Sequence, residues 1–162
     1  MRQSVTRAPF DAVVRAHGAT VLRVCRAVVG PDDAEDAWSE TFLSALRAYP
    51  ELPGDANVEA WLVTIAHRRA IDVVRARARA AVPTAELPER RADPAFAGWQ
   101  RDLWEDLAML PEKQRAAVVY HHVAGLPHAE VAAILGGTPA AARRASADGI
   151  AALRRSYPGG SR

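Results

Sequence analysis

The segment from Leu110 to Arg155 constrains the fold of this chain more than any other part of the sequence. It reads as a helix, a glycine, a short helix, a tight turn and a longer helix opened by Thr138 and Pro139. Small side chains permit close packing of the two helices, and a glycine in the turn permits positive φ. The pattern predicts a helix-turn-helix unit whose second helix can enter the major groove of DNA. Counted from His128, its fifth, ninth and fifteenth positions are Ala132, Gly136 and Ala142.

The composition favours helix over sheet along the whole chain of 162 residues. Alanine and arginine are abundant, whereas isoleucine, phenylalanine and tyrosine are few. The single cysteine, Cys25, cannot form an internal disulfide, which fits a reducing compartment. No apolar run is long enough for a membrane span, and the first ten residues lack the apolar centre of a signal peptide. We therefore expect an all-α, cytoplasmic protein without membrane insertion.

The cleanest amphipathic helix in the sequence is predicted over Asp32–Tyr49, with Asp32 as N-cap and Glu35 as its capping-box partner. The opposite side of this helix is acidic but carries Leu43, which hints at a protein-binding surface. Taken alone, an exposed leucine is more often an ordinary surface residue. The predicted core side consists of Ala34, Ala37, Trp38, Thr41, Phe42, Ala45, Leu46 and Tyr49.

Charge changes sign along the first half of the chain. Residues 31–60 carry eight acids against one arginine, and residues 61–80 carry five arginines against one aspartate. A polar loop over 50–57 precedes a basic helix that begins near Val58 and contains Trp61. Aromatic stacking beside cationic side chains is how single-stranded bases are held. Alternatively, Trp61 is an ordinary core tryptophan and the basic side of the helix is a solvated charged face. The change from an acidic segment to a basic one favours two different binding partners.

Three prolines within 81–100 predict a linker between two helical domains, at 8–80 and at 101–157. In the second domain, Val118, Val119, His122 and Val123 are predicted to face inward. No nucleophile, paired carboxylate or phosphate loop is recognisable, and the histidines lack neighbouring cysteines or carboxylates at metal-ligand spacing. The sequence therefore predicts no catalytic residue, no metal site and no cofactor.

Both domains resemble one known family. The stretches DDAEDAWSETFLSALRAYP, GD and AWLVTIAHRRAIDVVRAR are similar to region 2 of sigma-70 family RNA polymerase sigma factors of the extracytoplasmic-function (ECF) type. The stretch LPEKQRAAVVYHHVAGLPHAEVAAILGGTPAAARR resembles region 4 of the same family. The resemblance covers nearly the whole chain in the expected order. It implies core RNA polymerase and promoter DNA as partners, with an anti-sigma factor as a further class of partner.

The resemblance also implies a role for particular residues. The polymerase-binding side would comprise Asp33, Asp36, Glu40, Leu43 and Arg47. Recognition and melting of the minus-ten promoter element would involve Leu52, Gly54, Asp55, Asn57, Trp61, Arg68, Arg69 and Arg75. The minus-thirty-five element would be bound by Thr138, Ala140, Ala141, Arg143, Arg144 and Ala147.

Three positions depart from the family pattern. Leu52-Pro53 stands where an aromatic and a basic residue often precede Gly54-Asp55, and Arg68 stands where asparagine is frequent. The reading helix carries few basic residues, and its Asp148 would repel a phosphate. The family resemblance therefore does not predict which minus-ten sequence this protein prefers, nor how strongly it binds the minus-thirty-five element.

Three functions account for parts of this sequence. The first is a promoter-recognition subunit of RNA polymerase, which the acidic helix and the basic segment after it favour. The second is a sigma-like interaction protein that sequesters an anti-sigma factor, which the sparse reading helix favours. The third is a helix-turn-helix transcriptional repressor, which leaves the first domain unexplained.

Overall fold

The computed structural model describes residues 7–80 and 98–156, except for the side chains of 98–101. These two ranges contain helices and no strand, which confirms the all-α prediction. Most of the predicted linker lies outside the described residues, but its last three residues already belong to a helix that begins at Gly98. The elements are α1 (Phe10–Val29), α2 (Ala34–Ala48), a 3-10 turn (Tyr49–Glu51), α3 (Val58–Ala80), α4 (Gly98–Met109), α5 (Glu112–Val118), a π-helical turn (Val119–Val123), α6 (His128–Leu135) and α7 (Pro139–Ser156).

Helices α1, α2 and α3 pack against one another and form the N-terminal lobe, residues 7–80. The core side predicted for α2 is buried at Ala34, Ala37, Thr41, Phe42 and Ala45. Leu46 departs from the prediction, because half of its side chain is exposed where α2 approaches its end at Ala48.

The start of α2 also differs from the prediction. The helix begins at Ala34, and neither Asp32 nor Glu35 forms the predicted capping box. Asp33 occupies the N-cap position without a capping hydrogen bond, because its carboxylate pairs with Arg77 near the end of α3. This ion pair ties the first turn of α2 to the neighbouring helix.

Helices α4 to α7 form the C-terminal lobe, residues 98–156, with α6 and α7 as the helix-turn-helix. Ala132 and Ala142 are buried, and Gly136 has a φ of 80°, as the steric argument predicted. Thr138 accepts a hydrogen bond from the Ala141 N–H over 3.1 Å, so its hydroxyl caps the start of α7.

The π-helical turn changes which residues of the C-terminal lobe face inward. A π turn holds more residues than an α turn, so the side chains within it depart from regular α-helical spacing. His122, predicted to face inward, is therefore exposed, whereas Tyr120 is completely buried. The prediction was correct for Val118 and Val119, which are buried, and Val123 is partly buried against the same core.

The two lobes share one hydrophobic core. Val24 and Ala27 of α1 and Ala60 and Val63 of α3 pack in the same cluster as Tyr120. The Tyr120 hydroxyl lies 2.6 Å from Nδ1 of His67 on α3. Burial raises the pKa of Tyr120 and lowers that of His67, which favours the neutral form of both groups, and the two share this hydrogen bond. Nothing in the sequence pattern predicted this contact between lobes.

Candidate nucleic-acid and protein interfaces

An acidic, partly apolar surface runs along the side of α2 that faces away from the core. Asp36, Glu40, Leu43 and Arg47 are exposed there, and Leu43 has 54% of its surface accessible. We call these four residues the acidic face. We leave Asp33 out of the acidic face, because its carboxylate forms an ion pair with Arg77. The structure thus brings together four of the five residues predicted for polymerase binding.

The polar loop between α2 and α3, residues 52–57, projects from one end of the N-terminal lobe. Gly54, Asp55 and Asn57 are exposed, whereas the Leu52 side chain is buried and anchors the loop. Asn57 also stabilises the start of α3, because its Oδ1 accepts a hydrogen bond of 3.0 Å from the Ala60 N–H and thereby caps the helix. An N-cap immediately before a helix is a signal that the sequence could have provided.

Helix α3 carries an aromatic residue in its first turns, next to this loop, and several arginines further along. Trp61 is half-buried with its ring centroid 6.3 Å from that of Tyr49, and Arg68 and Arg75 are exposed. Arg69 is engaged within the lobe, because its guanidinium donates to Ser44 Oγ and lies 3.5 Å from Asp72. Arg68 and Arg75 are therefore better placed than Arg69 to meet a phosphate.

A cleft of about 590 Å³ lies between the 52–57 loop and the first turns of α1. No pattern in the sequence predicted this cleft. Its walls are contributed by two segments that are far apart in sequence. The α1 side includes Ala12, Ala16 and His17, and the loop side includes Pro53, Gly54 and Ala56.

The residues predicted to read duplex DNA lie at the start of α7 and share one exposed surface. All six are exposed: Thr138, Ala140, Ala141, Arg143, Arg144 and Ala147. Asp148 is exposed as well, next to this surface.

Two histidines stack on each other at the turn before the helix-turn-helix. The rings of His121 and His128 stack with centroids 3.9 Å apart, and His121 Nδ1 donates to the Leu126 carbonyl over 2.8 Å. Burial lowers the pKa of His128, as do the charges of His121 and Arg143, so the stack contains at least one neutral ring. The stack lies at the turn before α6 and helps to set the position of that helix.

Within the described ranges, no group of three or more His, Cys, Asp or Glu residues is arranged to hold a metal ion. In the same ranges, no helix has the length and apolar character needed to span a bilayer.

Comparison with known proteins matches each lobe to a region of one protein family. A family model for sigma-70 region 2 matches residues 13–80, and a model for sigma-70 region 4 matches residues 100–153. The ECF RNA polymerase sigma factor ShbA of Streptomyces griseus is 32% identical, over 91% of this chain and 86% of that protein. The RNA polymerase sigma factor CarQ of Myxococcus xanthus is 32% identical, over 75% of this chain and 72% of that protein. The chain belongs to the sigma-70 family, as a sigma factor of the ECF type.

Two solved structures share this fold. The sigma factor RpoE of Bartonella quintana, in complex with the anti-sigma factor NepR, matches with a TM-score of 0.79 at 20% identity, over 94% of this chain and 98% of that one. CnrH in complex with the cytosolic domain of CnrY matches with a TM-score of 0.67 at 22% identity, over 94% and 89%. The likeness extends over both lobes, so the fold of the whole described chain is that of these sigma factors.

Proposed function

We propose that the acidic face, the 52–57 loop with the basic side of α3, and the start of α7 are the three binding surfaces of this ECF sigma factor. Such a factor binds core RNA polymerase and directs it to promoters, where transcription begins. The observation that carries the assignment is the simultaneous exposure of all three surfaces on a chain with regions 2 and 4 in order. We further propose that the protein acts in the cytoplasm and catalyses no reaction of its own.

The acidic face is proposed to dock on core polymerase. Its carboxylates supply charge complementarity, which sets orientation and association rate, while Leu43 supplies apolar area to bury. Asp33 is proposed to contribute through structure, since its ion pair with Arg77 holds α2 against α3.

The 52–57 loop and the adjacent side of α3 are proposed to open the minus-ten element. Unstacking a base costs on the order of a few kcal/mol, and capture in a pocket with stacking returns about 1–3 kcal/mol per base. Gly54, Asp55, Asn57 and Trp61 would meet the displaced base, and Arg68 and Arg75 the backbone phosphates. In this proposal Leu52 and Arg69 hold the surface in shape, because the one is buried and the other is bonded to Ser44.

The start of α7 is proposed to enter the major groove at the minus-thirty-five element. Arg143 and Arg144 are its cations, and a bidentate arginine–guanine pair contributes about 1–3 kcal/mol of discrimination. Thr138, Ala140, Ala141 and Ala147 would supply close contact with the groove.

Replacing Arg143 and Arg144 by alanine is expected to weaken binding to the upstream promoter duplex about tenfold and to lower the salt slope by nearly two. The probe is the promoter that the wild-type holoenzyme selects from a random-sequence duplex library, and affinity is measured over a series of salt concentrations. The matched control replaces Arg154 and Arg155, which are exposed on the same helix but at its far end. An unchanged slope in the first variant would place its arginines away from DNA.

We infer that the two lobes separate when the protein binds a promoter. The minus-ten and minus-thirty-five elements are centred about 25 base pairs apart, which is about 85 Å of duplex at roughly 3.4 Å per base pair. A compact chain of 162 residues has a radius of gyration of about 15 Å, so lobes that share a hydrophobic core around Tyr120 lie too close together to reach both elements at once. Binding to polymerase must therefore expose the surface between them.

Acidification is expected to favour separation of the lobes, because burial lowers the pKa of His67 at their contact. A histidine whose folded pKa lies below the unfolded value of about 6.5 takes up its proton more readily after opening, so closure weakens as pH falls below about 6.5. The charge of Glu112 opposes this shift and that of Arg68 adds to it.

A fluorophore pair, one on each lobe, measures the opening between pH 8 and pH 5. The variant His67→Gln keeps an acceptor for Tyr120 without titrating, so its pH dependence should flatten. The control is His122→Gln, since His122 also has a lowered pKa but lies exposed, outside the shared core. An unchanged pH dependence in His67→Gln would show that another group controls the contact.

Transcription with purified core polymerase tests the function as a whole. The expected result is a stable holoenzyme that initiates from the selected promoter. The likeness to RpoE, which was solved in complex with the anti-sigma factor NepR, also supports an anti-sigma partner for this chain. Binding to such a partner without any holoenzyme would favour the alternative of a sequestering protein.

A further inference from the structure

Arg7, just before α1, bridges two carbonyl groups at the entrance to the 52–57 loop. Its guanidinium donates to the backbone oxygens of Tyr49 and Leu52, which are 42 and 45 residues away in sequence. The same guanidinium lies over the Tyr49 ring, with its central carbon 5.1 Å from the ring centroid. Three contacts thus join one side chain to the segment that leads into the loop.

Tyr49 also contacts the segment around the start of α1. Its hydroxyl donates to the Ala8 carbonyl over 2.6 Å, and its ring packs edge-on against Phe10 at 5.4 Å. The same ring lies beside Trp61, with centroids 6.3 Å apart. The segment before α1 is therefore linked through Tyr49 both to the loop and to the tryptophan proposed to meet a base.

The chemistry of this bridge is specific to arginine. Tyr49 and Leu52 lie where α2 and the 3-10 turn end, so their carbonyls are at the negative end of the helix dipole. A planar guanidinium presents two parallel donors to two acceptors, whereas the ammonium of lysine is a compact point charge. Lysine at this position would keep the charge and lose the geometry.

We propose that Arg7 is a positioning residue for promoter melting, which holds the 52–57 loop and Trp61 in the conformation that captures the displaced base. This inference rests on the proposed function of the loop. A loop already ordered in the free protein loses less conformational entropy when it binds, so the base is held more tightly. The cleft beside the loop depends on the same bridge, because Arg7, Tyr49 and Leu52 all line it.

The experiment compares Arg7→Ala and Arg7→Lys in holoenzyme with core polymerase. The probe is a single strand carrying the minus-ten segment of the promoter selected by the wild-type holoenzyme, and the second readout is open-complex yield on the full duplex. Both variants are expected to bind the strand about tenfold more weakly, since hydrogen bonds from a charged donor are lost. The salt slope is expected to stay at the wild-type value, because the guanidinium is already bound to carbonyls.

The matched control is Arg15→Ala. Arg15 is exposed on α1, where it pairs with Asp11 one turn away, so its removal subtracts the same charge from the same part of the lobe. It should bind the single strand as the wild type does. Tyr49→Phe removes only the hydroxyl bond to Ala8 and should give a smaller loss than Arg7→Ala.

Several outcomes overturn the inference. Recovery of binding in Arg7→Lys, with a salt slope lowered by about one in Arg7→Ala, would make Arg7 a phosphate contact. A lower unfolding temperature with unchanged strand affinity would make the bridge purely structural. A wild-type holoenzyme that melts no promoter would remove the proposed function and this inference together, whereas wild-type behaviour of Arg7→Ala would remove this inference alone.

Discussion

Reversing the charge of Asp36 and Glu40 by Asp36→Arg with Glu40→Arg is expected to weaken binding of core polymerase by at least about a hundredfold. Both carboxylates are exposed on α2 beside Leu43, on the face proposed to dock on polymerase. The variant removes two attractive charges and places two repulsive ones opposite the same partner groups. The affinity is measured by titrating labelled protein with core enzyme, and the effect should diminish at high salt because screening weakens charge repulsion.

The control for this experiment makes the same charge change elsewhere. Glu35→Arg with Asp102→Arg replaces two exposed acids, one on another side of α2 and one on α4. Glu35 also lies in the first turn of α2, as Asp36 does, so the control reproduces the effect on the helix dipole. Helix content is followed by circular dichroism. Equal loss of polymerase binding in control and test would mean that net charge, and not the acidic face, determines the affinity.

The second large effect is expected in the C-terminal lobe, where Gly149→Ala should destabilise the protein. A methyl group on Gly149 would lie 2.6 Å from a methyl carbon of Val118 and 3.3 Å from the Gln114 carbonyl. Helices α5 and α7 approach each other at this glycine and would have to move apart. Overpacking of this kind costs about 1–3 kcal/mol, which outweighs the gain of about 1 kcal/mol in helix propensity.

Gly18→Ala is the matched control, because Gly18 is also inside a helix but has more space. A methyl group there would lie 3.6 Å from Trp38, which is an ordinary van der Waals contact. This variant should gain about 1 kcal/mol of stability from helix propensity alone. Urea unfolding of the two variants should therefore give free energies that differ by about 2 kcal/mol. A Gly149→Ala protein as stable as Gly18→Ala would show that α5 and α7 separate at little cost.

Much of the architecture follows from local patterns in the sequence. The spacing of apolar residues identified α2 and its buried side, and small residues at fixed intervals identified the helix-turn-helix. These predictions succeeded because helix periodicity, a turn glycine and an N-cap threonine act within a few residues of one another. The resemblance of both domains to one family then supplied the order of the regions.

Contacts between residues far apart in the sequence, and irregular turns, could not be predicted in this way. Asp33 was assigned to the polymerase surface through the family resemblance, which gave no sign that its carboxylate pairs with Arg77, 44 residues further along the chain. His122 was assigned to the core by regular α-helical spacing, which the π turn interrupts. A sequence pattern contains neither the partner of a side chain nor an irregular turn, so these two positions could not be predicted from it.

The sequence by itself determined the helical class, the family resemblance and most of the residues that lie on the three exposed surfaces, because these depend on patterns of residues close together in the chain. Only the tertiary structure decided how those surfaces are supported. The bridge from Arg7 to the 52–57 loop, the close approach at Gly149 and the shared core around Tyr120 each join residues from different elements. Such contacts arise from the relative placement of whole helices, which depends on the packing of the complete core.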